Sequence, residues 1–163
     1  MDEQSREQVG QALAQIPAGL FLITSHTEDR RSGMLACFVQ QVCLEPPMIC
    51  VAIAKGRTVM PLISDARAFC VCQLKQSEKR LARKFEQHFD PTEDPFLGYD
   101  LLPDPTGRHL PMPTGCVGYL ICDLVSHLDV DGDHDLFVGS VVEGRYEGGR
   151  PAIHMREDGF GYR

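Results

Sequence analysis

The residues best equipped for chemistry in this 163-residue chain fall in two short turns. Lys55-Gly56-Arg57-Thr58 joins two cations and a hydroxyl to a glycine that lets backbone approach closely, the set of donors a phosphate monoester needs. The same residue types also make an ordinary solvated turn, so spacing alone leaves both readings open. The second turn, Asp129 to Asp135, sets acids around Gly132 and His134. It has the acidity of a calcium loop without the pattern: counted from Asp129, the glycine comes fourth instead of sixth, and Ser140 stands twelfth where Glu is needed. We therefore expect a polar hairpin turn and no metal. His134 either caps that hairpin or faces a ligand, and His88, His109 and His154 are too scattered to complete a metal set.

Seven cysteines is an odd number, and five of them (Cys37, Cys43, Cys50, Cys70 and Cys72) lie in apolar, strand-like runs. With no CxxC pair, they read as reduced core thiols, not as a disulfide framework or a zinc site. Lys plus Arg number 16 against 23 Asp plus Glu, a formal net charge of −7 that repels a phosphate backbone and excludes nucleic acid as an expected partner. The longest apolar stretches, such as Met48 to Ala54, reach about a third of the ~20 residues of a membrane helix, and Met1 to Ala14 is too polar for a signal peptide. No membrane association and a cytoplasmic location are expected. Hydrophobic residues at 43% and charged residues at 24% are ordinary for a globular protein, and the length suits one domain over residues 1–163.

The elements that must position these turns follow from periodicity. Val9, Ala12, Leu13 and Ile16 recur at helical spacing, giving a helix over about 3–15 that Pro17 and Gly19 stop. Leu20 to Ser25 and Gly33 to Leu44 read as strands joined by a charged turn, Met48 to Ala54 as a buried strand, Val59 to Ala66 as a helical segment, and Phe69 to Leu74 as a further strand. Ser77 to Phe89 places Leu81, Ala82, Phe85 and Phe89 on one helical face, with Ser77 as N-cap. Six prolines between Asp90 and Pro113 make a long irregular loop, of the kind that usually serves function. Cys116 to His127 and His134 to Glu143 form a second hairpin. The sum is a mainly β fold: a closed antiparallel barrel with peripheral helices over about 17–162, with a sandwich as the alternative.

The run Ser32-Gly33-Met34-Leu35-Ala36-Cys37-Phe38-Val39-Gln40-Gln41-Val42-Cys43-Leu44-Glu45-Pro46-Pro47 resembles the strand of flavin reductase-like proteins usually written GMTAS, followed by a polar pair and V-S-[FL]-[DE]-P-P. The resemblance continues in order through the basic turn Lys55 to Thr58, Phe69-Cys70-Val71, Leu81 to Phe85, and Gly132-Asp133-His134 before Leu136-Phe137-Val138-Gly139. It covers roughly Ile16 to Tyr162. It implies an FMN-binding split barrel of antiparallel Greek-key type, a homodimer, and a flavin, FMN with FAD as the alternative, reduced by NAD(P)H as co-substrate.

On that resemblance the flavin lies against Met34, Leu35, Ala36, Cys37, Phe38, Gln40 and Gln41, where extended backbone meets the ring's polar edge and alternate side chains its face. Lys55, Arg57 and Thr58 would take the phosphate, and His134 would stand on the nicotinamide side. The cofactors would carry the hydride chemistry and the protein their stacking. Leu35, Cys37, Cys43 and Cys72 depart from polar residues of the family pattern, which removes side-chain hydrogen bonds. Two functions remain: an NAD(P)H-dependent flavin reductase that supplies a monooxygenase or an electron-transfer protein, or a non-catalytic FMN-binding protein for electron transfer or flavin storage.

Overall fold

The structure, a computed structural model, describes residues 1–163. It opens with α1 (Glu3–Ala14), whose N-terminus is capped by the Asp2 carboxylate accepting from the Ser5 amide at 2.7 Å. After β1 (Ala18–Gly19), β2 (Phe21–Thr27) and β3 (Arg30–Ala36) form a tight hairpin with Thr27 opposite Arg30. Then come β4 (Val39–Cys43), β5 (Met48–Ala54), α2 (Val59–Ala66), β6 (Ala68–Leu74) and α3 (Lys79–Phe85). The long hairpin β7 (Cys116–Asp129) and β8 (His134–Tyr146) is followed by the short β9 (Ile153–His154), which pairs with β1. No helix is long and apolar enough to cross a membrane.

The fold is mainly β, a seven-stranded antiparallel sheet in the order β3-β2-β6-β7-β8-β5-β4. The non-sequential neighbours are those of a Greek-key barrel. β3 and β4 are consecutive in the chain yet sit at the two ends of the sheet, so the residues between them must cross the gap. They do so at Cys37 and Phe38: the Phe38 carbonyl accepts from the Ala52 amide on β5 at 2.9 Å, and β3 is drawn against β5. The barrel therefore closes through a chain crossing and leaves a split beside it.

Two apolar clusters hold this shape. Inside the barrel, Ile23, Met34, Val51, Ile53, Phe69, Val71 and Phe137 pack with Val59 and Ile63 of α2. On the outer side, Leu22, Cys70, Cys72, Leu74, Tyr119 and Ile121 pack under Leu81 and Phe85 of α3 and under Phe96, Leu110 and Met112 of the proline-rich loop. β6 is buried on both faces over Ala68 to Cys72, which is why those five residues form an unbroken apolar run instead of alternating. Its thiols sit in the outer cluster, Cys70 and Cys72 with sulfurs 3.7 Å apart, and all seven cysteines are unpaired.

Two expectations need correction. The run Gly33 to Leu44 is not one strand but the end of β3 and the whole of β4, parted at Cys37-Phe38. α3 is shorter than Ser77 to Phe89, and its cap is Glu78, whose carboxylate accepts from the amides of Arg80 at 3.1 Å and Leu81 at 3.0 Å. The loop Asp90 to Pro113 is irregular as expected; it buries Phe96, Leu110 and Met112 and is tied to β3 by a two-bond Arg31–Asp94 pair, each bond 2.8 Å.

Candidate functional site

The split opens into a cleft of about 1010 Å³. Its floor is the crossing itself: Met34, Ala36 and Cys37 are buried, Leu35 and Phe38 half-buried, and all five line it together with Ala52. Opposite, α3 presents Lys79, Ala82, Arg83 and Glu86, the i, i+3, i+4, i+7 face of a helix. Arg57 reaches in from the turn after β5, and residues from the end of the chain, His154, Tyr162 and Arg163 among them, close the remaining side.

The turn Lys55 to Thr58 does not act as a unit. Arg57 lines the cleft; one of its terminal nitrogens donates to the Gln87 carbonyl at 3.3 Å, and its Nε is buried with no partner. Lys55 points elsewhere, pairing with Asp129 at 2.8 Å and lying 3.6 Å from Asp135, and its pKa is raised chiefly by the Asp129 hydrogen bond. Thr58 shares a 2.7 Å hydrogen bond with Ser32 and does not line the cleft. Gln40 and Gln41 are exposed on β4, where their side-chain amides donate to the carbonyls of Gln41 and Cys43, each at 3.1 Å; neither reaches the cleft.

His134 stands just behind the cleft wall. Its Nδ1 is 2.7 Å from the Asp133 carboxylate, its Nε2 is hydrogen-bonded to the Tyr162 hydroxyl, and its ring lies edge-on to Phe38 with centroids 5.7 Å apart. The hydrogen bond from His134 is also what chiefly lowers the Asp133 pKa. Burial raises the pKa of Cys37 and of Tyr162; a nearby guanidinium opposes each rise, Arg156 for the thiol and Arg57 for the phenol. Both groups thus stay protonated at neutral pH and offer hydrogen-bond donors. Of the four departures, only Leu35 and Cys37 touch the cleft; Cys72 is in the outer core and Cys43 is on β4, its thiol 3.6 Å from the Glu45 carbonyl.

The sequence reading missed Lys79, Arg83 and Tyr162. The α3 face was visible as helical spacing, but only its apolar side was read. Tyr162 follows Gly161, 28 residues from the histidine it meets, and carries no local signal. Chemically, the cleft joins an apolar strip of strand, an aromatic wall and a rim holding Arg57, Lys79, Arg83 and Arg163, none of them in an ion pair. Glu86, Glu157 and Asp158 share that lining, so its side chains are close to neutral in a chain of net charge −7, and Arg57, whose Nε has no partner, is the cation best placed to meet the anionic end of a flat ligand.

Residues 13–160 match the model of the flavin reductase like domain. A flavin reductase of Pseudomonas putida is 30% identical over 150 residues, covering 91% of this chain and 85% of that protein. A putative diflavin flavoprotein of Synechocystis is 32% identical over 139 residues, covering 85% of this chain but only 24% of its own length. The chain thus spans about a quarter of such cyanobacterial relatives. Among solved structures, a Streptomyces globisporus NADH:FAD oxidoreductase superposes with a TM-score of 0.84 at 23% identity, covering 100% of this chain and 94% of that one. An FMN-binding protein of Thermus thermophilus gives 0.77 at 25% identity, covering 88% and 84%.

Proposed function

The chain belongs to the flavin reductase-like family, and from that premise we propose that its cleft holds a flavin and that the protein is an NAD(P)H-dependent flavin reductase, with FMN the preferred flavin and FAD the alternative. The observation that carries this reading is the placing of Met34 to Phe38 along the floor of a cleft whose rim supplies unpaired cations. When bound, the flavin accepts a hydride from the nicotinamide and supplies the redox chemistry.

The chain's own residues bind and orient. The extended segment Met34 to Phe38 gives a flat, largely apolar surface for a ring system. Arg57, with a buried Nε lacking an acceptor, fits a phosphate that would accept its hydrogen bond, and Lys79 and Arg83 add charge along the same wall. His134, fixed by Asp133 and Tyr162, sets the aromatic end of the cleft. Released reduced flavin would go to a monooxygenase or an electron-transfer protein. The seven free thiols suit a reducing compartment such as the cytoplasm, and one domain over residues 1–163 acting as a homodimer completes the reading.

One observation favours a second reading. Leu35 and Cys37 put a branched apolar group and a thiol at the cleft where the family pattern has hydroxyls, which suits a protein that holds FMN without efficient turnover. Titration with FMN and FAD, followed by NADH and NADPH oxidation under the same conditions, separates the two. Flavin binding with turnover is expected. Binding without turnover selects the second reading, and no binding at micromolar flavin removes both.

A further inference from the structure

Three rings meet at one end of the cleft. Phe38 and His134 have centroids 5.7 Å apart, and Tyr162 is 5.9 Å from each of them. Phe38 and Tyr162 line the cleft and His134 backs them. Tyr162 comes from outside the barrel, on the segment 155–163, which adds no strand to the seven-stranded sheet.

That segment is seated on α1 and latched over the cleft. Gly159 donates its amide to the Gly10 carbonyl at 3.0 Å, and the approach is close enough that a Cβ on Gly159 would stand 2.3 Å from the Cβ of Leu13. Arg156 donates to the Leu13 carbonyl at 2.8 Å, and the Arg6 guanidinium lies 3.9 Å over the Phe160 ring. At the latch, the Tyr162 hydroxyl is hydrogen-bonded to His134 Nε2, while His154 Nε2 donates to the Tyr162 carbonyl at 2.5 Å. Beyond the contact with α1, the segment makes only two backbone-to-backbone hydrogen bonds, both within itself, so it opens at far less cost than a strand of the barrel.

We propose that Tyr162 excludes the nicotinamide from the cleft in the closed state, so that segment 155–163 must lift from Phe38 and His134 before the hydride donor binds. The proposal rests on the flavin-site reading above. Hydride transfer brings the reacting atoms to about 3–3.5 Å, so no aromatic ring can stand between donor and acceptor. A phenol held against Phe38 at the aromatic end of the cleft takes the place of one flat ring. The closed state then weakens every nicotinamide in proportion to its population.

The test uses the whole chain loaded with FMN and titrated with NAD⁺, which binds without reacting, by calorimetry. If the closed form holds nine molecules in ten, Tyr162→Ala, titrated at saturating FMN, tightens NAD⁺ by about tenfold. Gly159→Ala, which unseats the segment from α1 and keeps the phenol, shifts NAD⁺ affinity in the same direction, and Tyr162→Phe, which keeps the ring but loses the bond to His134, tightens NAD⁺ less than Tyr162→Ala does. Hydrogen exchange across residues 155–163 should quicken when NAD⁺ is added. Unchanged or weaker NAD⁺ binding in FMN-saturated Tyr162→Ala overturns the proposal, as does slower exchange of the segment on NAD⁺ addition. If the unaltered protein binds no FMN, the flavin-site reading itself fails, a result distinct from any behaviour of the Tyr162 variants, and the proposal falls with it.

Discussion

Lys55 donates to the Asp129 carboxylate at 2.8 Å, and that bond removes from the cleft a cation whose neighbour two residues on, Arg57, lines it. The basic turn therefore divides between two tasks: Lys55 fastens the β7–β8 hairpin to the end of β5, and Arg57 is left to meet a ligand.

Substitution should reveal that division. Arg57→Ala is expected to weaken FMN at least tenfold while leaving riboflavin, which has no phosphate, within about twofold, since a charge-assisted hydrogen bond is worth about 1.5–3 kcal/mol. Lys55→Ala should leave both ligands nearly unchanged. Fluorescence titration of the two flavins against the two variants measures this; equal weakening of FMN and riboflavin by Arg57→Ala would place the phosphate elsewhere.

The Arg31–Asp94 pair ties the long loop to β3 and gives acid stability a definite sign. The Arg31 hydrogen bond holds the Asp94 carboxyl below its ordinary value, with the Phe96 amide adding to the effect. A carboxylate depressed in the folded state contributes stability above its unfolded pKa of about 3.9 and loses it as pH falls through the lower folded value. Asp94→Asn should therefore be less stable than the unaltered protein at neutral pH, and the gap should narrow below about pH 4. Urea melts between neutral and acid pH measure it, and a gap that stays constant would show the pair to be without pH-linked effect.

Much of this architecture was legible because its signals are local. The hairpins, α1 and the apolar run of β6 follow from periodicity, whereas Met34 to Phe38, which line the cleft, stand out in the sequence only through resemblance to a family pattern. The break at Cys37-Phe38 was not legible. No glycine or proline marks it, and it exists because the barrel must be closed by a crossing to β5. Likewise Lys55 looks identical to Arg57 in sequence, and only the return of β7 brings Asp129 to it. Gln40 and Gln41 match the family pattern but fall on the strand beyond the crossing, where they face outward.

α3 depends on one side chain for its seat. Phe85 is fully buried, its ring 5.0 Å from that of Phe96 and 5.5 Å from that of Phe89. Phe85→Ala should cost about 3–5 kcal/mol in urea unfolding, the range for deleting a large buried aromatic. Because Lys79 and Arg83 ride on the same helix, FMN affinity should fall as well, whereas Phe137→Ala, in the barrel interior away from the helix, should lower stability with less effect on FMN. Parallel loss of both properties in both variants would mean that α3 has no special part in binding.

The last prediction concerns assembly. β4 ends the sheet and pairs on one side only, with β5, so its other edge presents unpaired backbone groups. Two apolar side chains there are unusually exposed, Val42 at 53% on β4 and Leu44 at 82% just beyond it. Exposed apolar residues scattered singly need no partner, but a group beside an open sheet edge marks a surface that gains by being covered. A second copy of the chain can cover it through a two-fold axis, which closes the assembly at a dimer and leaves no surface for a third subunit. Light scattering should then give twice the chain mass, and the melting temperature should rise with protein concentration, because association stabilises only the folded state. Leu44→Asp, placing a charge where no packing inside the chain is lost, should shift the particle toward monomer while leaving the barrel folded by circular dichroism. If the dimer also completes the flavin site, adding FMN should restore dimer to that variant. A monomer at every concentration, for the unaltered protein with and without FMN, would show that β4 ends the assembly as well as the sheet.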